Sequence, residues 1–162
     1  SRYALCELVN FYDGSVEIGA IHRVVFGVKP EELLEALMDH YPSAVQGDGE
    51  GHSLSYVINR WSQGTVTVTK PQASLPVGTL QSFLDDYIAA HPKTRVDYIH
   101  GETEARALAC EREDAIAFLL TAPEWEGLFD SIVQDGLLPR KTFSIGEAHD
   151  KRFYLEARKI RK

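Results

Sequence analysis

The stretch "LPRKTFSIGEAHDKRF" (138–153) holds Arg140, Lys141, Thr142 and Ser144 within five residues. A guanidinium, an ammonium and two hydroxyls so close together suit a phosphate or a carboxylate, because charged donors make the strongest hydrogen bonds to such anions. Gly146 marks a turn, and Glu147 and His149 beyond it can serve as acid–base groups. Lys151 and Arg152 add further positive charge. The competing reading is a solvated basic hairpin that balances an acidic body.

Two other stretches carry candidate chemistry. In "AIHRVV" (20–25), His22 and Arg23 are neighbours inside an apolar strand. Successive strand residues face opposite sides, so one of the two must meet the core face or line a pocket. In "YIHGE" (98–102) a strand runs into a helix. Gly101 permits close approach of the backbone, His100 can shuttle a proton, and the amides opening the helix favour an anion. His22 and His100 are the candidate proton-transfer groups. Arg23, Gly101, Arg140, Lys141, Ser144, Glu147, Lys151 and Arg152 are the candidate binding groups.

Other features lead nowhere catalytic. "GDGEGH" (47–52) offers Asp48, Glu50 and His52, but its spacing fits neither a calcium loop nor a phosphate loop. It reads as a turn, and no metal is expected. There is no GxSxG, and Ser144 has no obvious Asp–His pair. Asp85 and Asp86 are adjacent on the outer face of a helix, so they do not converge and read as solubilising.

The elements that must position these groups follow from periodicity. Runs 3–12 and 16–28 read as strands joined by an Asp-Gly hairpin turn. Residues 30–41 read as a helix with Pro30 in its first turn and one apolar stripe. A turn-rich loop is expected over 42–52, and a hairpin over 53–61 and 64–70. A helix is expected over 77–91, where Leu80, Phe83, Leu84, Tyr87 and Ile88 share a face. Strand 95–99, helix 102–111 and strand 115–120 form a small βαβ unit. A last helix, 123–136, turns Trp125, Leu128, Phe129, Ile132 and Val133 inward and is capped by Gly136. Residues 151–160 alternate as a closing strand. The expectation is one α+β domain over 1–162: a mixed sheet with hairpins, a βαβ unit and about four helices.

The totals agree with this. A chain of 162 residues can bury a core without metal or disulfides. Cys6 and Cys110 lie far apart in apolar patterns and read as buried free thiols, which suits a reducing cytoplasm. No apolar run reaches the length of a membrane span. The formal charge is −7, and it is split unevenly. Residues 139–162 carry a net +5 and residues 1–138 a net −12. Such a body repels nucleic acid, but a small anion at a local basic patch is compatible with it. The chain opens in a strand pattern without methionine, so a piece of a longer protein is expected.

"RYALCELVN", "IHRVVF", "LPVGTLQSFLDDYI", "VDYIHGE" and "LPRKTFSIGEAHDKRFYLEARKI" occur in this order over nearly the whole chain. Together they resemble the C-terminal half of the bacterial and archaeal family catalogued as domain of unknown function 1015. The resemblance implies an N-terminal half with a Gly-Asp-Gly-Asn-His-Ser or Asp-Gly-His-His-Arg motif ahead of the "RYAL" strand. "GDGEGHS" follows "IHRVV" instead and carries the extra Glu50–Gly51, so it is not that motif. The residues carried over are Arg2, His22, Arg23, His100, Gly101, Arg140, Lys141, Ser144, Gly146, Glu147, Lys151 and Arg152. A looser similarity to ParB-like small-molecule kinases implies nucleotide and phosphoryl chemistry.

The expected function is an anion-binding wall in a composite site shared with the missing N-terminal half. The ligand would be a small anion or a nucleotide, and no cofactor is specified. The alternative is a packing or dimerisation domain, with a possible homodimer. Convergence of Arg23, His100 and Lys141 around a cleft would favour the first, and a large exposed apolar patch the second.

Overall fold

The structure is a computed structural model that describes Asn10 and residues 17–146. The expected strand 3–12 and its Asp-Gly turn, the closing strand 151–160, Arg2, Cys6, Glu147, His149, Lys151 and Arg152 lie outside the described residues, Asn10 apart.

The elements run β1 (Ile18–Phe26), α1 (Pro30–His40), β2 (Ala44–Gln46), β3 (His52–Asn59), β4 (Ser62–Val68), α2 (Pro76–Ala90), β5 (Arg95–His100), α3 (Glu102–Cys110), β6 (Ala115–Leu119), α4 (Trp125–Asp135) and β7 (Phe143–Ile145). The sheet order is β2-β4-β3-β6-β1-β5, with β7 also paired to β1. This is the expected α+β class: the described residues form strand pairs in one sheet and four helices.

Every hydrogen-bonded strand pair among the described residues is antiparallel. β5 and β6 both run antiparallel to β1, which lies between them. They are therefore parallel to each other, and β5-α3-β6 is a βαβ unit split by the earlier strand. The parallel relation expected from the sequence exists across β1 rather than as a bonded pair.

Opposed residues of an antiparallel pair share a face, and faces alternate along the strand. Ile21, Arg23 and Val25 therefore share a face with His100, Tyr98 and Val96. Val25 packs there among Leu33, Leu37, Leu80, Leu84 and Phe118, beneath α1 and α2. Leu33, Leu37, Leu80 and Leu84 have no exposed surface, so this cluster supplies much of the stability, at about 1.5–3 kcal/mol for each large side chain. On the opposite face, Val24 and Phe26 pack against Ala105 and Ala109 of α3 and against Ala115 and Ala117. Small side chains let α3 lie close to the sheet. His22 shares that second face by parity.

Three expectations need correction. The loop 42–52 contains the short strand β2, formed because Ala44–Gln46 can pair with Val66–Val68 of β4. α4 buries Leu128 and Ser131, while Phe129, Ile132 and Val133 are 53%, 39% and 85% exposed. Its apolar stripe is wider than the face that meets the protein. Cys110 is exposed, because it ends α3 off the Ala105–Ala109 face. Gly136 does cap α4, at φ 84° with its N–H donated to the Ile132 carbonyl.

Candidate functional site

The sheet face beneath α2 is apolar around Val25 and polar around Arg23. Register places Tyr98 on one side of Arg23 and Phe118 on the other. Arg23 has no exposed surface. Its Nη1 donates to the Ile21 carbonyl, its Nη2 to the Arg140 carbonyl at 3.0 Å, and its Nε to Gln81 Oε1 at 3.4 Å. Its guanidinium carbon stands 5.1 Å from the centre of the Tyr98 ring. Burial pulls the Arg23 pKa down to about 10, which leaves it a cation at neutral pH.

Arg140 meets the same tyrosine, 5.8 Å from the ring centre. Its Nη2 donates to Asp85 Oδ1 at 2.5 Å. Gln81 Nε2 donates to that same oxygen at 2.8 Å. The four residues thus close a polar ring. Arg23 bonds to Gln81, Gln81 to Asp85, Arg140 to Asp85, and Arg23 back to the Arg140 carbonyl. The nearby Tyr98 hydroxyl and the Asp85 carboxylate hold the Arg140 guanidinium above its ordinary pKa. Arg140 and Asp85 are 62% and 51% exposed, so this end of the ring opens to solvent. It borders a shallow cleft of about 430 Å³ lined by Gly78, Gln81, Ser82, Asp85, Pro139 and Arg140.

The turn that carries Arg140 is tightly held. Thr142, itself buried, donates its hydroxyl to the Pro139 carbonyl at 2.6 Å. Lys141 adopts φ 57°, a left-handed conformation that costs a residue with a side chain about 1 kcal/mol. The bonds from Arg23 and Thr142 to consecutive carbonyls hold it there.

The candidate residues divide accordingly. Arg23 and Arg140 come together. Arg23 is not open to a ligand, contrary to its expected role, because the sheet face and α2 enclose it. It reaches the cleft only through Gln81 and the Arg140 carbonyl. Lys141 is exposed and follows Arg140 in the chain. Ser144 is buried in β7, opposite Gly19 on the Arg23 face.

His100 is on the Arg23 face two residues beyond Tyr98, with its ring over Gly19. A Cβ at Gly19 would stand 3.0 Å from His100 Nε2, an enclosed nitrogen with no hydrogen-bond partner among the described residues. His22 is on the other face, so the two histidines do not converge on one substrate. His22 Nδ1 accepts the Leu120 N–H at 3.1 Å, and burial lowers its pKa against the opposing pull of Glu102.

Gly101, at φ 99°, opens α3, but an anion is not favoured there. Glu102 and Glu104 already occupy the first turn, and a Cβ at Gly101 would run into the Glu104 carboxylate. Among the described residues no group of three His, Cys, Asp or Glu side chains converges as a metal site. None of the helices described is long and apolar enough to cross a membrane.

Sequence reasoning missed Gln81, Asp85 and Tyr98. Asp85 does stand on the outer face of α2, as expected, yet it is ion-paired. The usable signal was the i, i+4 spacing of Gln81 and Asp85 on a helix that also buries Leu80 and Leu84.

Solved structures include chains with the same architecture. The chain matches two mutants of a free serine kinase, each in complex with AMP, with TM-scores of 0.63 and 0.62. The fold is similar to that of a free serine kinase. Identity is 14% and 16%, so the likeness is one of fold. It covers 85% of this chain and 57% of the kinase chain, so this chain spans little more than half of the kinase's length. No family model matches the chain, and no curated protein matches it.

Proposed function

We propose that this chain forms one wall of a nucleotide-dependent, small-molecule kinase-like site, completed by further polypeptide of the same protein. The wall binds the anionic part of the ligand, phosphate or carboxylate, with Arg140 and Lys141 as the contacting cations. Arg23 and Tyr98 hold Arg140 in place. The observation that carries this reading is the fold likeness to a kinase that holds AMP, which extends over most of this chain and only 57% of that one. The chain's membership of the family catalogued as domain of unknown function 1015 is part of the same proposal. A cytoplasmic location fits the free thiol of Cys110.

Phosphoryl transfer is mostly positioning and neutralisation of oxygens, and fixed guanidinium groups supply both.

Titration of the full-length protein with AMP, ADP, ATP and small hydroxy acids tests the reading. A ligand at one hundred times its Kd adds about 2.7 kcal/mol. For a domain of this size that raises the melting temperature by roughly 5–10 °C. Phosphorus NMR would then detect transfer to an added hydroxyl acceptor. No shift at millimolar nucleotide, together with no effect of Arg140→Ala, overturns the proposal.

A second reading, a non-catalytic packing or dimerisation domain, is favoured by Val133 and Leu137, apolar side chains 85% and 96% exposed. It predicts a concentration-dependent mass in solution that Val133→Ser reduces.

A further inference from the structure

We propose that Asp85 is an internal placeholder for the ligand's phosphoryl group, occupying the position on Arg140 that the phosphoryl takes on binding. The proposal rests on the anion-binding reading above and names the ligand group that its site selects.

The ring holds two guanidinium groups and one carboxylate. Both cations lie against one tyrosine ring, and one of them is fully buried. Among the described residues, Arg23 donates its hydrogen bonds to neutral oxygens: two backbone carbonyls and the amide of Gln81. A buried cation without a carboxylate in contact is costly, and a net positive ring beside a cleft calls for further negative charge. The cleft is where it can come from, because the exposed parts of the ring are Arg140 and Asp85.

Asp85 is suited to release. It accepts from Arg140 and Gln81 through the single oxygen Oδ1, so Arg140 is not held in a two-pronged fork. A phosphoryl dianion presents three oxygens and about twice the charge, and can take the guanidinium bidentately. A monocarboxylate only repeats what Asp85 already offers, and it competes with a tethered group at high effective concentration. The exchange therefore favours phosphoryl over carboxylate. When Asp85 leaves, the Gln81 amide becomes free to donate to the incoming oxygen.

Calorimetric titration of the full-length protein with AMP, inorganic phosphate and acetate decides the matter. Asp85→Asn removes the competing charge and keeps an acceptor for Gln81. The expected result is AMP binding tightened by about fivefold or more, with a smaller preference for phosphate over acetate. Asp85→Ala should show the same trend, which separates loss of charge from any new contact of asparagine. If wild type binds AMP and Arg140→Ala abolishes binding, but neither Asp85 variant binds more tightly, the placeholder role is overturned and the anion-binding reading stands. If neither wild type nor the Asp85 variants bind any of the three probes at millimolar concentration, both fall.

Discussion

Replacing Arg23 separates what its buried charge does for stability from what it does for position. Arg23→Met keeps an unbranched chain and most of the volume but removes three donated bonds, to Ile21, Arg140 and Gln81. Hydrogen bonds from a charged donor contribute about 1.5–3 kcal/mol each. Stripping water from a guanidinium opposes them by several kcal/mol, and Arg23 is wholly enclosed. The two effects largely cancel. Arg23→Met should therefore unfold in urea within about 1.5 kcal/mol of wild type. Arg23→Ala leaves a cavity between Tyr98, Phe118 and α2, and should lose about 3–5 kcal/mol. Local order should behave differently. Both variants free the Arg140 carbonyl, so hydrogen exchange across residues 137–146 should accelerate in both, even where global stability is kept. Equal loss of stability in the Met and Ala variants, or unchanged exchange in that segment, would refute the reasoning.

Two further outcomes are expected. Burial lowers the folded-state pKa of His22 and of His52 below the ordinary 6.5, so the unfolded chain takes up protons first as pH falls. Their contribution is complete above about pH 6.5 and is lost as pH drops through the lowered folded values. Urea midpoints measured from pH 7.5 to 5 should decline, and His22→Gln should flatten the decline. Gly27→Ala should destabilise by about 1–3 kcal/mol, because Gly27 has φ +73° and an added Cβ would lie 2.8 Å from the Lys93 carbonyl oxygen. Gly47→Ala, at φ +95° with open space around it, isolates the backbone strain and should cost less.

Most helices and the hairpin of β3 with β4 were legible because each has a local period. The 3.6-residue stripe of Leu80, Phe83 and Leu84 and the alternation of residues 53–59 depend only on neighbours along the chain. The parity argument for His22 and Arg23 also survives, since it needs only the strand itself. What failed to show was anything decided by register. Tyr98 stands beside Arg23 because β5 pairs with β1 in one alignment, and no local pattern encodes that alignment. Asp85 looked like a solubilising carboxylate because its partner Arg140 lies 55 residues away. α4 shows the same limit: an apolar stripe says that a helix has a wet side and a dry side, but here Ser131 went in and Val133 stayed out. Gly101 misled for a more local reason. Glu102 and Glu104 in the first turn of α3 already answer its dipole, so a glycine ahead of a helix does not by itself mark an anion site.

The placement of β1 has a consequence for biosynthesis. β1 is the first described strand, yet both of its long partners follow the hairpin of β3 with β4, and Arg23 meets Phe118 about 95 residues downstream. At about 5–20 residues per second, a ribosome needs roughly 5–20 s to make that stretch. For much of this interval "AIHRVVF" lacks both β5 and β6 as partners, and nascent copies on neighbouring ribosomes offer the same sequence. The buried cation in its middle makes that strand a poor template for its own kind, since like charges would be stacked together. Arg23 thus also guards the strand during the seconds before its proper neighbours exist.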